Sequence, residues 1–452
     1  MPDNFHLSGK TFSVVTMGCR VNHYEAEAVA AAMEAKGAVF VPGGGASADI
    51  TIIVTCSVTS VADAKSRKIV RRARRANPEG ALVACGCWAQ SASSGEAAEA
   101  GVDILVGNRV KSVIPDLLNE WYVTRKFYEK KIDVTKSEEW DNISLDRTRM
   151  STRAFIKVQD GCERRCSYCA VPSLRGQCVS RGYEDIVSEV GRVTSRGARE
   201  IVLTGIQLGG YSDGDVSLAG LLERISRVPG VLRLQMGSLE PFAVNEELLR
   251  TAADSGVFCP HLHIPVESGD DGVLFSMRRG YTAAEFARIA DMTRAYLGDD
   301  VHISTDLIVG FPGESEEAFS NSLELLEKIS AGKVHVFPYS PRKGTPSAAM
   351  ERLPGAAVNE RTARALELSE KLLSSYAAKW VGRENRVLAE NVNDGVASGW
   401  NRHYVRVYFP VNRDENAMRG NEFSTEPKIS IGSILLCEGA DMDMEKIAPY
   451  EE

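Results

Sequence analysis

Apolar positions along the chain fall into short runs divided by amphipathic stretches, and the rhythm changes twice. Up to residue 121, apolar runs at Phe12–Met17, Ile50–Thr55, Ala81–Ala84 and Asp103–Val106 read as buried strands. Between them, Tyr24–Lys36, Val61–Ala76 and Val110–Trp121 carry the spacing of helices packed by one face. This alternation predicts a parallel sheet covered by helices. Residues 122–150 are charged and follow neither period, so they read as a linker, partly ordered.

From Ser151 a second alternation begins. Its strands are Ala154–Val158, Glu200–Leu203, Leu232–Met236, His261–Ile264, His302–Val309 and Lys333–Phe337, with helices such as Glu184–Ser195, Ala283–Tyr296 and Glu316–Ile329 between them. Six strand–helix repeats over residues 151–380 predict an open or partial barrel, with its active site at the strand C-termini. Residues 381–447 change character again. Arg386–Glu390, His403–Phe409 and Ile434–Cys437 look like short strands parted by Gly and Asn. They predict a small β-barrel, of the kind that often binds oligonucleotides, although a purely structural β-domain shows the same pattern.

Composition narrows this picture. A length of 452 residues suits three domains of ordinary globular make-up. No uninterrupted apolar window approaches the ~18 residues of a membrane span. Met1–Lys10 is polar and lacks the apolar centre of an export signal. Ten cysteines without such a signal read as metal or catalytic thiols in a reducing cytoplasm. The net charge of −8 argues against a general nucleic-acid affinity. A local patch overrides it, because screening limits each charge to a reach of about 10 Å. Such a patch lies at Lys65–Arg75. There Ala62, Ser66, Ile69, Ala73 and Ala76 form one helical face, and Lys65, Lys68, Arg72 and Arg75 share another, with Arg67, Arg71 and Arg74 alongside. A charge run is usually a solvated surface. This one has a single sign, so no internal i,i+4 pairing is expected, and it predicts contact with a phosphate backbone.

The candidate chemistry is carried by thiols at strand ends. Cys162, Cys166 and Cys169 form a C-x3-C-x2-C run just past the strand at Ala154–Val158, with Tyr168 before the last cysteine. Three thiolates on a four-iron cubane leave one iron open to a ligand. Zinc sites instead favour paired C-x2-C motifs. Cys19, Cys56 and Cys87 each fall just past a strand of the first domain, where open α/β sheets bind their ligands. They converge on one ligand, or they are simply buried small hydrophobes. Cys85 fits the second reading better because it prolongs its strand, and Cys178 is read in the same bland way. Polar, glycine-bearing loops follow consecutive strands of the second region. They hold Gly205 and Gln207, Ser238 and Glu240, Glu267 and Ser268, and Gly310 and Gly313. One glycine after a strand is commonly a turn, but the repetition points to a polar ligand.

Several longer motifs carry a family resemblance. They are Met-Gly-Cys-Arg-Val-Asn (17–22), Val-Thr-Cys-Ser-Val-Thr (54–59), Cys-Gly-Cys-Trp-Ala-Gln (85–90), Asp-Gly-Cys-Glu-Arg-Arg-Cys-Ser-Tyr-Cys (160–169), Cys-Pro-His-Leu-His-Ile-Pro (259–265) and Asp-Leu-Ile-Val-Gly-Phe-Pro-Gly-Glu (306–314). With these the chain resembles the methylthiotransferases of the radical S-adenosylmethionine (SAM) superfamily over nearly its whole length. Residues 203–211 and 335–346 resemble the branch acting on N6-threonylcarbamoyladenosine at position 37 of tRNA. The resemblance implies an α/β fold: an N-terminal Rossmann-like domain (1–121), a partial (β/α)6 radical SAM barrel (151–380) and a TRAM-like β-barrel (381–447).

It also implies two [4Fe–4S] clusters and SAM as cofactors. Cys19, Cys56 and Cys87 would hold the auxiliary cluster, and Cys162, Cys166 and Cys169 the cluster that binds SAM. Tyr168, Gly205, Gln207, Ser238, Glu240, Glu267, Ser268, Gly310 and Gly313 become candidate SAM contacts. Lys65, Lys68, Arg72 and Arg75 become candidate contacts to the tRNA anticodon loop. The implied chemistry cleaves SAM with one electron from a donor such as a flavodoxin or ferredoxin. The resulting radical takes the C2 hydrogen of adenine, and the auxiliary site delivers a methylthio group. A cytoplasmic enzyme without a stable protein partner follows. The sequence departs from the family pattern at Glu267-Ser268-Gly269, often Gln-Ser-Gly, and at Cys178-Val179-Ser180-Arg181, usually Arg-Ser-Arg. Rival readings are an isopentenyladenosine-37 or ribosomal-protein methylthiotransferase, and a non-enzymatic electron carrier.

Overall fold

The computed structural model describes residues 6–43, 48–383, 385–393, 395–410, 422–425, 428–431 and 434–435. The chain divides into two compact units. The first comprises Met1–Arg196, Leu203–Gly214 and Ser340–Ala348, and the second Gly197–Val202, Asp215–Tyr339 and Ala349–Glu452.

The first unit opens with β1 (Thr11–Thr16), α1 (Arg20–Ala35), β2 (Val39–Phe40), β3 (Ile50–Thr55), α2 (Ser60–Ala76) and β4 (Ala81–Gly86). It continues through α3 (Cys87–Ser91), α4 (Ser94–Glu99), β5 (Ile104–Val106), α5 (Ile114–Thr124) and β6 (Tyr128–Lys130). The strands form one parallel sheet of order β2-β1-β3-β4-β5-β6. Alternate residues of β3 and β4 serve opposite faces, as the pleat requires. Ile50, Ile52 and Val54 of β3, with Val83 and Cys85 of β4, join a core with Val29 and Met33 of α1 and Leu118 of α5. Ile53, Leu82 and Ala84 join another with Val70 of α2 and Trp88 of α3.

Two sequence expectations change here. The helix expected over Val110–Trp121 starts with a 3-10 turn at Lys111–Val113 and becomes α-helical only from Ile114, because Pro115 suits a first helical turn. The charged stretch 122–150 supplies β6 and packs on α1. The Arg149 and Met150 N–H groups donate to the Glu27 carboxylate at 2.9 and 2.7 Å, and Tyr24 donates to the Ile143 carbonyl at 2.8 Å. The unit continues with β7 (Arg153–Lys157), β8 (Gln159–Asp160), α6 (Val171–Arg175), β9 (Val179–Ser180), α7 (Tyr183–Ser195), the end of β10 (Glu200–Thr204) and β11 (Ser212–Asp213).

In the second unit, β12 (Val216–Ser217), α8 (Leu218–Ser226), β13 (Arg233–Met236), α9 (Glu246–Asp254) and β14 (His261–His263) lead into α10 (Asp271–Met277) and α11 (Ala283–Leu297). Then come β15 (His302–Val309), α12 (Glu316–Lys328), β16 (Lys333–Pro338) and α13 (Gly355–Ala378). Strands β14, β15 and β16 are parallel neighbours. Helix starts follow side-chain caps: Ser217, Asn245, Asp270, Thr282 and Ser315 each accept an N–H of the first turn. The chain then enters β17 (Asn385–Asn393), β18 (Val396–Asn401), β19 (Arg406–Pro410), β20 (Glu422–Thr425), β21 (Lys428–Ile431) and β22 (Ile434–Leu435). They form an antiparallel sheet of order β20-β17-β18-β19-β21-β22, with Val387, Ala389, Ala397, Val407 and Phe409 as its core. Among the described residues its ends do not pair, and the last two positions of the expected strand Ile434–Cys437 lie outside them. No helix among the described residues is long and apolar enough to cross a membrane.

Candidate functional site

All six candidate cluster cysteines belong to the first unit. Cys19 caps α1, Cys56 follows β3 and Cys87 opens α3. The turns that bring them together need glycine. Gly18 has φ +88°, and a Cβ there would stand 2.7 Å from the Cys56 sulfur. Gly86 has φ +93°, with the Thr55 carbonyl 2.6 Å from the place of a Cβ. The thiols feel one another. Burial, followed by the charges of Cys19 and Cys87, pushes the Cys56 thiol up to about 12. Cys19 is reached by solvent, yet desolvation by the surrounding protein still raises its pKa. Cys85 lies inside β4, fully buried and in register with Val54 and Val106, as a core residue.

A group of buried charges stands behind these thiols. Arg175, at the end of α6 and 1% exposed, donates from Nε to the Cys87 sulfur at 3.4 Å. Its other nitrogens reach Glu25 at 2.8 Å, Asn22 at 2.7 Å and Asp160 at 3.3 Å. Glu25 also meets Lys157 at 2.8 Å and Lys111 at 3.1 Å, and Lys157 meets Asp160 at 2.6 Å. Burial alone would push the Glu25 carboxyl up, but Arg175, Lys111 and Lys157 outweigh it and hold it well below the usual range. Asp160 is held at about 2 in the same way, burial being outweighed by Lys157 and Arg175. Asn108 adds a contact of 3.7 Å to the Cys87 sulfur. Sequence reasoning missed this network. Its members are scattered from residue 22 to residue 175, and only the fold assembles them.

The loop of Cys162, Cys166 and Cys169 is fixed by its backbone. Cys162 N–H donates to the Gly176 carbonyl at 2.9 Å and Cys169 N–H to that of Cys166 at 3.2 Å. Gly161 has φ +75°, and a Cβ there would lie 1.8 Å from the Gln177 carbonyl oxygen. Cys166 is buried, while Cys162, Cys169 and Tyr168 are half-buried. A cavity of about 280 Å³ adjoins Cys162, lined also by Glu163, Arg165, Pro172 and Gln177. Gln207 accepts the Glu163 N–H at 3.0 Å, so it braces the cluster loop, and Gly205 leaves room for Gln159. Cys178 lies 3.3 Å from the Gln207 side-chain oxygen.

In the second unit, Ser238 is exposed and Glu240 half-buried at the end of β13. Glu267 is buried at φ +65°, 3.8 Å from Arg279. Ser268 is turned inward, against Ser322 and the Asp270 N–H. A Cβ on Gly310 would meet the Val358 side chain at 2.6 Å, so its close approach is to α13. Gly313, at φ +85°, faces open space.

On α2, Lys65, Lys68, Arg71, Arg72 and Arg75 are exposed. Two of its arginines have structural partners, which corrects the expectation of no internal pairing. Arg67 pairs with Asp63 at 2.7 Å, one turn earlier, and Arg74 binds Asp103 and the Gly101 carbonyl. No sequence pattern signalled a cleft of about 500 Å³ at the start of α2. Arg67, Arg342, Lys343, Ser60 and Ser173 line it, with Asp63 between Arg67 and Arg342 at 2.7 and 3.8 Å.

Among the described residues, no three His, Cys, Asp or Glu side chains close around a single metal ion. A cubane takes one thiolate per iron and does not require that they do. Burial raises the Cys19 and Cys56 thiols and the Arg175 guanidinium lowers them again, so it is the buried cation that suits an anionic, thiolate-ligated cluster, whose ligands must be deprotonated.

Known proteins share this sequence over most of its length. The model of the Radical SAM superfamily matches residues 156–326, and that of Uncharacterized protein family UPF0004 matches residues 11–107. The threonylcarbamoyladenosine tRNA methylthiotransferase MtaB of Thermotoga maritima is 36% identical over 427 residues, 93% of this chain and 96% of its own. The chain belongs to the radical SAM methylthiotransferases. Another such methylthiotransferase, from Bacillus subtilis and of the same name, is 34% identical, over 89% of this chain and 91% of its own. The tRNA-2-methylthio-N(6)-dimethylallyladenosine synthase of Mycobacteroides abscessus is 33% identical, over 92% and 85%. Among solved structures, the radical SAM methyltransferase TsrM of Kitasatospora setae has a TM-score of 0.55 at 13% identity, covering 86% of this methylthiotransferase chain and 80% of its own, a likeness of fold alone.

Proposed function

We propose that this methylthiotransferase converts N6-threonylcarbamoyladenosine at position 37 of tRNA to its 2-methylthio derivative. The observation that carries this reading is the pair of three-thiol sites in one unit, on a chain of this family. SAM and two [4Fe–4S] clusters, when bound, supply the radical and the methylthio group. Cys162, Cys166 and Cys169 hold the SAM-binding cluster, and Cys19, Cys56 and Cys87 the auxiliary one. Gln207 and Gly161 keep the first cysteine loop in shape. Ser238, Glu240 and Glu267 are the second unit's candidates for the polar groups of SAM. Ser268 and Gly310 have internal partners, which favours a structural role for both.

The exposed cations of α2, together with Arg342 and Lys343 at the cleft, suit the phosphates of an anticodon loop. The C-terminal sheet is a second RNA handle. An electron donor of the flavodoxin or ferredoxin class completes the reaction in the cytoplasm. Mass spectrometry of tRNA nucleosides from cells with and without the gene tests the reading. The 2-methylthio derivative of threonylcarbamoyladenosine should vanish with the gene; its persistence at full level contradicts the reading.

A further inference from the structure

The buried charges behind Cys87 do not balance. Arg175, Lys111 and Lys157 face two carboxylates, Glu25 and Asp160. Among the described residues, the surrounding charges do not make up the difference. Arg109 donates to the Ser137 and Gln177 carbonyls, and Asp141 accepts the Lys111 and Ser112 N–H groups, so these two cancel in sum. Arg181 is paired with Glu189. One positive charge is left over. Buried charge without a counter-charge is costly. Lys111 already meets Glu25, and Lys157 meets Asp160. The three cations share the surplus, and it meets the thiols through Arg175, whose Nε donates to the Cys87 sulfur.

We propose that Arg175 is the counter-cation of the auxiliary cluster, donating to the Cys87 thiolate and raising the cluster's reduction potential by its charge. This rests on the reading of Cys19, Cys56 and Cys87 as ligands. Hydrogen bonds to ligand sulfur and net local charge are both known levers on cluster potential. A three-thiolate cluster in its oxidised state carries net negative charge, and reduction adds more. A fixed guanidinium favours the reduced state, so Arg175 is a positioning and tuning residue rather than one that touches the substrate. Its removal leaves Glu25, Asp160, Lys111 and Lys157 as a balanced quartet, which gives the fold reason to survive.

The test is potentiometric titration, followed by electron paramagnetic resonance, in a parent carrying Cys162→Ala, Cys166→Ala and Cys169→Ala, so that only the auxiliary cluster is read. In that parent, Arg175→Met should lower the midpoint potential. The reduced-to-oxidised ratio at fixed potential should fall at least tenfold, which is 59 mV for a one-electron couple. Arg175→Lys, which keeps the charge, should recover part of the shift. Glu25→Gln, which removes a negative charge, should move the potential upward, a sign that general damage would not give. An unchanged or raised potential in a fully loaded Arg175→Met protein overturns the role of Arg175 alone. If Arg175→Met fails to load, Glu25→Gln decides, and a potential that is unmoved or lowered overturns the proposal. A parent with no cluster at all overturns the ligand assignment, and the role of Arg175 with it.

Discussion

Each thiol's role follows from where its strand ends. Cys162, Cys166 and Cys169 share one pinned loop, so losing any one leaves two thiolates, which hold a cubane poorly. Alanine at any of the three should abolish 5′-deoxyadenosine formation, read by chromatography after anaerobic reduction. The triple change of Cys19, Cys56 and Cys87 should remove the iron of one cluster and the methylthio product, but leave SAM cleavage. Cys85→Ala should keep both clusters, since Cys85 is a β4 core residue. The sequence placed the six thiols just past strand ends, where the fold has them, while their reading as cluster ligands came from the family resemblance. Arg175 was not legible: a single arginine before a glycine carries no periodic signal, and its importance comes from Glu25, Asn22 and Cys87, which are distant in sequence.

At the scale of elements, the turns are as constrained as the strands. Gly161→Ala would place a methyl group against the Gln177 carbonyl at a left-handed φ. This variant should reconstitute its SAM-binding cluster poorly and retain the auxiliary one, measured as iron content and absorbance. The β14–β15 region carries a pH dependence of its own. Burial holds His302 neutral, at about 3, and His403 at about 4. Both folded values lie below the ordinary unfolded value near 6.5, so the unfolded chain binds more protons in that window. Stability is then full above pH ~6.5 and falls as the pH drops toward 4. Thermal melts should show it, and His302→Asn should flatten the slope. The long strands and the helices between them were readable from period. The strand β6 was not, because Tyr128–Lys130 is a short, charged edge whose pairing with β5 no local pattern announces.

At the scale of the molecule, a chain of net charge −8 meets RNA through local cations. Changing Lys65, Lys68, Arg72 and Arg75 to Ala should weaken tRNA binding and flatten its salt dependence, by about one unit of slope for each phosphate no longer neutralised. Unchanged affinity and slope in a filter-binding series would remove α2 from RNA recognition. The family motifs made the activity legible, while the basic cleft at Arg342 and Lys343 needed the fold to bring those residues beside α2. The most direct measurement takes the reconstituted protein with SAM, a reductant and two tRNAs, one bearing threonylcarbamoyladenosine at position 37 and the other isopentenyladenosine. Mass spectrometry of the digested nucleosides should show the 2-methylthio product on the first tRNA, with little or none on the second. Equal or greater methylthiolation of the isopentenyladenosine tRNA would contradict the account.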